Sequence, residues 1–195
     1  MVDKKFVQGS LVILSGPSGS GKGTVLSQLL AHSPVPLTLA TSACTRQPRP
    51  GEVDGLDYYF LSREEFEQKC NQGDFLEWVQ LFGNYYGTLR SEVEHRLALG
   101  QWVILEIDVQ GCRTLHTDYP DVVTIFLKTP SMKEYERRLR KRATENEDTL
   151  QERLETAAKE LRLAHHYRYQ VVNDDIERAV DEILNILQSV GDTSS

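Results

Sequence analysis

The chain has 195 residues, 39% hydrophobic and 26% charged, which is enough for one well-packed α/β domain with an insert and short for two independent domains. Its formal charge of −7 argues against general binding to nucleic acid or an anionic membrane, so any polyanion it handles must meet a local cluster of positive charge. No apolar run approaches the ~20 residues of a spanning helix, the N-terminus MVDKKFVQGSLVIL lacks a small-residue cleavage site, and Cys44, Cys70 and Cys112 lack C-x-x-C spacing; the expectation is a cytoplasmic protein with reduced thiols and no nucleic-acid or membrane partner, its oligomeric state left open.

In chain order, SLVILS at 10–15 reads as a buried parallel strand. The glycine-rich stretch GPSGSGKGT, Gly16 to Thr24, then opens a helix with Val25, Leu26, Leu29 and Leu30 on one side. Residues 34–60, with prolines at 34, 36, 48 and 50, read as an irregular or β-rich insert. Ser62 and Glu65 form a capping-box pattern for a helix to about residue 72, and FLEWVQ and FGNYYG read as strands around a turn. A helix over 91–99 with Val93 and Leu97 inward ends at Gly100, and WVILEID at 102–108 is the next buried strand, followed by VVTIFL at 122–127.

Ser131 and Glu134 cap a helix whose continuation, KEYERRLRKR at 133–142, holds six basic and two acidic residues, the densest positive charge in the chain. The spacing then predicts an amphipathic helix at 147–166, a strand YQVVN at 169–173, and a last helix with Ile176, Ala179, Val180, Ile183 and Leu187 inward. Alternating buried strands and helices imply a mostly parallel sheet wrapped by helices.

The loop after the first strand carries the first chemistry. Glycines at 16, 19, 21 and 23 let successive backbone N–H groups point at one oxygen cluster, the following helix offers its positive end, and Lys22 adds a mobile charge. A Ser or Thr normally follows the lysine to hold magnesium, whereas here Gly23 follows and Thr24 comes one position late. That order is familiar from kinases of nucleoside monophosphates, and magnesium keeps several waters readily, so a missing protein ligand is tolerable.

The segments SACTRQPRPGEVDGLDYYF, FLEW, GNYYGT, LEIDVQG and VVND, in this order along nearly the whole chain, resemble guanylate kinase. The resemblance implies transfer of the ATP γ-phosphoryl group to GMP, and less efficiently to dGMP, in purine nucleotide metabolism and GMP recycling. The implied fold is α/β: a P-loop NTPase core with a central parallel five-stranded sheet flanked by helices (1–34, 90–130 and 155–195), a mixed α/β GMP-binding insert (35–89) and a short helical lid (131–154).

The residues agree with that substrate. Arg46 and Arg49, beside Pro48 and Pro50, form a stiffened pair of planar forks suited to phosphate, with the hydroxyls of Tyr58 and Tyr86 to complete it; the bland alternative is a solvated surface pair. Guanine offers two adjacent donors beside an acceptor, which a carboxylate and a hydroxyl can read together. Glu77 matches the family's guanine-reading carboxylate, Ser42 and Thr88 its hydroxyl partners, with Gly87 beside them in the same motif. Adenine would leave Glu77 unpaired, and such a site can discriminate by ~10⁴-fold. By the same resemblance Glu106 lies near the base and ribose, where the family more often has Asp, and Asp108 supports the loop lysine and, through water, magnesium.

Loop residues Gly16, Pro17, Ser18, Gly19, Ser20, Gly21, Lys22, Gly23 and Thr24 would hold ATP, together with Arg138 and Arg142 at its phosphates and Asn173 at the adenine edge. Arg153 would reach the junction of the two substrates, and Lys22, Arg46, Arg142 and Arg153 would carry catalysis, with magnesium held mainly by phosphates and water. No general base is required, since a monophosphate oxygen is already an anionic nucleophile. The family usually reads R-G-R-G-T where this chain has Arg140 to Thr144, so Lys141 and Ala143 should stiffen the stretch. The five histidines make no metal-like spacing, and His165 and His166 are expected on different faces of a helix. Two rivals remain at this level: another small phosphotransferase on the same scaffold, which would not need Ser42, Glu77 and Thr88, and a non-catalytic protein-binding relative, which commonly has a degraded phosphate loop.

Overall fold

The structure, a computed structural model, describes residues 9–81, 83–141 and 147–193. Its frame is a parallel sheet in the order β2 (Leu37–Leu39), β7 (Trp102–Glu106), β1 (Leu11–Ser15), β8 (Val123–Lys128) and β9 (Tyr169–Val172). All four strand pairings are parallel. Both faces of β1 are covered, because Val12 and Leu14 pack toward one cluster of apolar side chains while Leu11 and Ile13 pack toward the other. That two-sided burial is why its sequence is an unbroken apolar run rather than an alternating one.

On the first face lie α1 (Lys22–His32) and α7 (Ile176–Thr193), whose Leu29, Ala179, Ile183 and Leu187 are fully buried. On the second lie α3 (Arg90–Ala98) and α4 (Val109–Asp118), through Val93, Cys112 and Leu115. From β1 the chain crosses to the edge strand β2 and then runs back through β7, past β1, to β8 and β9, so the connections that leave the neighbours β1 and β8 run in opposite directions across the sheet. Open α/β sheets bind ligands beyond the carboxyl ends of the strands at such a point, and here that is where the phosphate loop stands.

The second sheet runs β4 (Tyr59–Phe60), β3 (Ser42–Cys44), β6 (Asn84–Leu89) and β5 (Phe75–Leu81), with β3 and β5 antiparallel to β6. Helix α2 (Arg63–Gln72) closes one side of it through Phe66, which stacks on Phe75 at 4.2 Å and on Tyr85 at 5.3 Å between ring centroids. Its start is fixed by the capping box the sequence announces: the Ser62 hydroxyl accepts from Glu65 N at 3.1 Å and the Glu65 carboxylate accepts from Ser62 N at 2.7 Å.

Several expectations shift. The insert boundary drawn at 35 is too early, since Leu37–Leu39 pairs with β7 in the main sheet and the separate sheet begins at Ser42. The strand expected to reach 108 ends at Glu106, and residues 109–118 form a helix the sequence did not announce, capped by Asp108, whose Oδ1 accepts from Gly111 N at 2.9 Å. Leu30 is more than a third exposed rather than inward. The helix expected over 147–166 stops at Leu161 as α6 (Glu147–Leu161), and His165 and His166 lie in a short 3-10 turn with ring centroids 4.0 Å apart.

Helix α5 (Met132–Lys141) forms the first part of the segment 131–154 expected as a lid. Tyr135 and Leu139 are buried, and the Tyr135 hydroxyl accepts from Thr129 N at 3.1 Å. Among the described residues no helix is long and apolar enough to cross a membrane.

Candidate active site

The phosphate loop joins the end of β1 to the start of α1. Gly16, Gly19 and Gly21 have φ of 148°, 91° and 95°, a region side chains rarely adopt. Space demands glycine as well: a side chain at Gly16 would run into the Leu127 carbonyl of β8, and one at Gly21 into the Asn173 amide. Gly23 has nothing within 4 Å, so packing does not account for its missing hydroxyl. Lys22 Nζ donates to the Gly16 carbonyl at 2.6 Å, so the ammonium folds back on its own loop and uses a backbone oxygen where a phosphate oxygen could serve.

A cleft of about 490 Å³ opens in front of this loop. Of the expected residues, Gly16, Ser18, Gly19, Gly21, Lys22 and Gly23 line it from the loop, and Ser42, Arg49, Tyr58, Glu106, Asp108 and Arg153 from the facing elements. The two ligand sites inferred separately from sequence therefore open into one space. Tyr58 lies close enough to Glu106 to feel its charge; burial and that carboxylate both raise its hydroxyl pKa, burial more.

Behind the cleft, register brings the three residues expected to read guanine into a row. Ser42 on β3 pairs with Thr88 on β6, and Thr88 pairs with Glu77 on β5. A bulge between Phe75 and Glu77 makes this possible, because it turns Phe75, Leu76 and Glu77 all inward, against the alternation of a regular strand. Phe75 enters the core of the small sheet, Leu76 packs with the residues under α4, and Glu77 remains for the site.

The Thr88 hydroxyl donates to Glu77 Oε1 at 2.7 Å, and Glu77 is only 4% exposed. Burial raises the Glu77 pKa to about 7, the Thr88 hydroxyl opposes the rise, and the Asp108 charge adds to it. Gly111 on α4 approaches so closely that a side chain there would meet Glu77 Oε2 at 2.5 Å. Gly87 does the same between strands: its missing side chain leaves room for the Glu77 carbonyl and Trp78 Cβ, each 2.8 Å from where a Cβ would stand. Its place in the motif is one of strand packing.

Arg46 does not line the cleft. Its guanidinium lies over the Tyr58 ring at 4.8 Å and the Phe60 ring at 5.5 Å, and its end is gripped by Glu52 at 2.6 and 2.7 Å. Tyr86, on the β6 partner of Cys44, has its ring centroid 6.3 Å from that of Tyr58. The arginine pair is thus split, with Arg49 on the cleft and Arg46 behind Tyr58.

A second cavity, of about 740 Å³, lies on the other side of the loop, lined by Gly19, Gly21, Thr24, Arg138, Lys141 and Asn173 among others. Arg138 donates to the Ser20 carbonyl at 3.3 Å and the Asn173 carbonyl at 2.8 Å, and the Asn173 amide donates to the Ser20 carbonyl at 2.8 Å. Ser20 is buried, and Pro17 accepts from its N–H at 3.0 Å, so both are structural members of the loop. Arg137 and Arg140 form ion pairs with Glu134 and Glu136 along α5, the bland pattern for a charged helix face. Arg142 lies outside the described residues, as do Ala143 and Thr144.

Glu160 and Thr156 on α6, and Asp57, also line the cleft and were not singled out from sequence. Glu160 stands seven residues after Arg153, two helical turns on the same face, a spacing that could have found it. Among the described residues no group of three His, Cys, Asp or Glu side chains could hold a metal. Asp108 in the first cavity and Thr24 in the second are oxygen donors beside the loop, of a kind that suits a hard ion bringing phosphate and water ligands of its own.

A family model described as guanylate kinase matches residues 8–190. A guanylate kinase of Rhodopirellula baltica is 52% identical over 95% of this chain and 90% of its own, and one of Desulfitobacterium hafniense is 50% identical over 92% and 89%. Among solved structures, a guanylate kinase from Anaplasma phagocytophilum superposes with a TM-score of 0.76 at 37% identity, covering 94% of this chain and 86% of that one.

Proposed function

Because the chain belongs to the guanylate kinase family and is an ATP:GMP phosphotransferase, we propose how its residues divide the work of that reaction. The observation that supports the division best is the cross-strand row Ser42, Thr88, Glu77 beside a cleft whose opposite wall is the phosphate loop. Glu77 accepts from guanine N1–H and N2–H₂, while Ser42 and Thr88 serve as hydroxyl partners; Glu106 stands by the ribose. Arg46, Arg49, Tyr58 and Tyr86 take the monophosphate.

ATP takes the loop from the other side, its phosphates on the N–H groups of residues 16 to 24 and its adenine in the cavity of Arg138 and Asn173. Lys22 exchanges the Gly16 carbonyl for phosphate oxygens. Arg153 spans the junction, and Arg142 joins it from the lid. The bond from the γ-phosphorus to the β,γ-bridging oxygen breaks as one forms to an oxygen of the GMP phosphate, giving ADP and GDP. Asp108 would stand in the outer shell of a magnesium ion brought in with the phosphates and water, and such an ion would supply positive charge against the transferring group. Lys22 and the arginines meet that charge from fixed positions, and no residue needs to remove a proton.

In this reading the chain has a core that includes β2, an insert from Ser42 to Leu89, and a lid hinged on α5. An ADP-release assay over GMP, dGMP, AMP, CMP, UMP and a ribose phosphate tests it. GMP should be used best and dGMP less well, and equal use of the monophosphates would overturn the base reading.

A further inference from the structure

We propose that Glu52 is a positioning residue for the monophosphate: it holds one edge of the Arg46 guanidinium so that the other edge is presented to the phosphate. The inference rests on the reading of Arg46 as a phosphate ligand. A guanidinium has two bidentate edges, one formed by Nη1 and Nη2 and one by Nη2 and Nε. Glu52 takes the first, with Oε2 accepting from Nη1 at 2.6 Å and Oε1 from Nη2 at 2.7 Å. The Gln47 carbonyl takes the remaining Nη1 hydrogen at 3.0 Å. Nε and the second Nη2 hydrogen have no acceptor among the described residues. The Tyr58 and Phe60 rings, at 4.8 and 5.5 Å, fix where the guanidinium plane lies.

Glu52 is itself tied to the same short loop. Its Oε2 accepts from Arg49 N at 2.7 Å, and its own N–H donates to the Arg49 carbonyl at 3.0 Å. One carboxylate therefore ties the Arg46 guanidinium to the backbone of Arg49 before any phosphate arrives, which reduces the freedom the Arg46 side chain loses on binding. A carboxylate that merely held the place of the phosphate could leave cheaply, whereas withdrawing Glu52 strands three N–H donors at once. The open Nη2–Nε edge lets phosphate bind with Glu52 still in place.

The test compares wild type with Glu52→Gln, Glu52→Asp and Arg46→Ala, measuring kcat, KM for GMP and ATP, thermal midpoint, and inhibition by guanosine, which carries the base without the phosphate. Glu52→Gln is expected to raise KM for GMP about tenfold or more while KM for ATP and the guanosine inhibition constant stay within about twofold. Glu52→Asp, still charged but one methylene shorter, should fall between. An unchanged KM for GMP in Glu52→Gln, alongside a large rise in Arg46→Ala, overturns the positioning role alone. An unchanged KM in Arg46→Ala removes Arg46 from the phosphate site and the inference with it. Tighter GMP in Glu52→Gln would make Glu52 a competitor, and equal weakening of guanosine would make it a support of the loop only; either overturns the proposal.

Discussion

Glu77 is a carboxylate whose charge is opposed by its surroundings and, in the proposed division of work, needed by the guanine base. Buried and close to Asp108, it titrates at about 7, but the two guanine donors need it ionised. GMP binding should then release a proton near neutral pH. Calorimetry in buffers of different ionisation enthalpy should show that release at pH below about 7 and its loss above about pH 8, with GMP affinity rising across the interval. Glu77→Gln should remove this component and leave only the titration of the phosphate.

Stability carries the opposite sign. A folded-state pKa raised from 4.5 to about 7 favours the fold fully below the unfolded value, and the advantage is lost as pH rises through about 7. Relative to wild type, Glu77→Gln should therefore gain stability between about pH 5 and pH 8, by up to about 3 kcal/mol, in urea titrations. Lys22→Ala should lower kcat about 100-fold or more in the ADP-release assay, because it removes the charge that the loop can offer to the transferring phosphoryl group.

At the level of elements, α2 owes its start to the reciprocal bonds of Ser62 and Glu65. Ser62→Ala should cost about 1 kcal/mol of stability in urea denaturation and leave turnover near wild type, since no residue of α2 lines the cleft. This cap, the buried strands and the last helix were legible because each rests on local pattern. Helix α4 was not: VQGCRTLHTD carries a glycine, two threonines and an apolar stripe of only Val109, Cys112 and Leu115, and it is held by the Asp108 cap and by burial of those three. Strand β2, three residues set among prolines, gains its identity only by pairing with β7. The inward turn of three successive residues at Phe75 depends on a bulge that no alternation reveals.

The same limit applies to the site. Ser42, Thr88 and Glu77 were legible through resemblance, but the row they form exists only through the pairing of β3, β6 and β5. Glu52 was invisible because its importance lies in which edge of Arg46 it takes, a matter of geometry six residues away.

At the scale of the molecule, the small sheet joins the main one through Leu76 packed under α4 and through polar bonds. One strut runs from the small sheet to the main one: the Tyr59 hydroxyl donates to Glu92 at 2.6 Å, and Arg96 donates to Glu92 at 2.9 Å and to the Leu39 carbonyl at 3.3 Å. Phosphoryl transfer requires an open cleft for entry and a dry one for reaction, so one rigid shape cannot serve both. Small-angle scattering should show a smaller radius of gyration with GMP and a non-hydrolysable ATP analogue together than with neither, and an unchanged radius would argue against closure.

The central claim is that Glu77, in its row with Thr88 and Ser42, selects guanine. Its most direct test is the ratio of kcat/KM for GMP to that for AMP, measured by ADP release in wild type and in Glu77→Gln. The account predicts a wild-type preference for GMP of about 10³-fold or more, reduced at least about tenfold by the substitution, equivalent to about 1.4 kcal/mol of lost discrimination. A ratio the substitution leaves unchanged would contradict it.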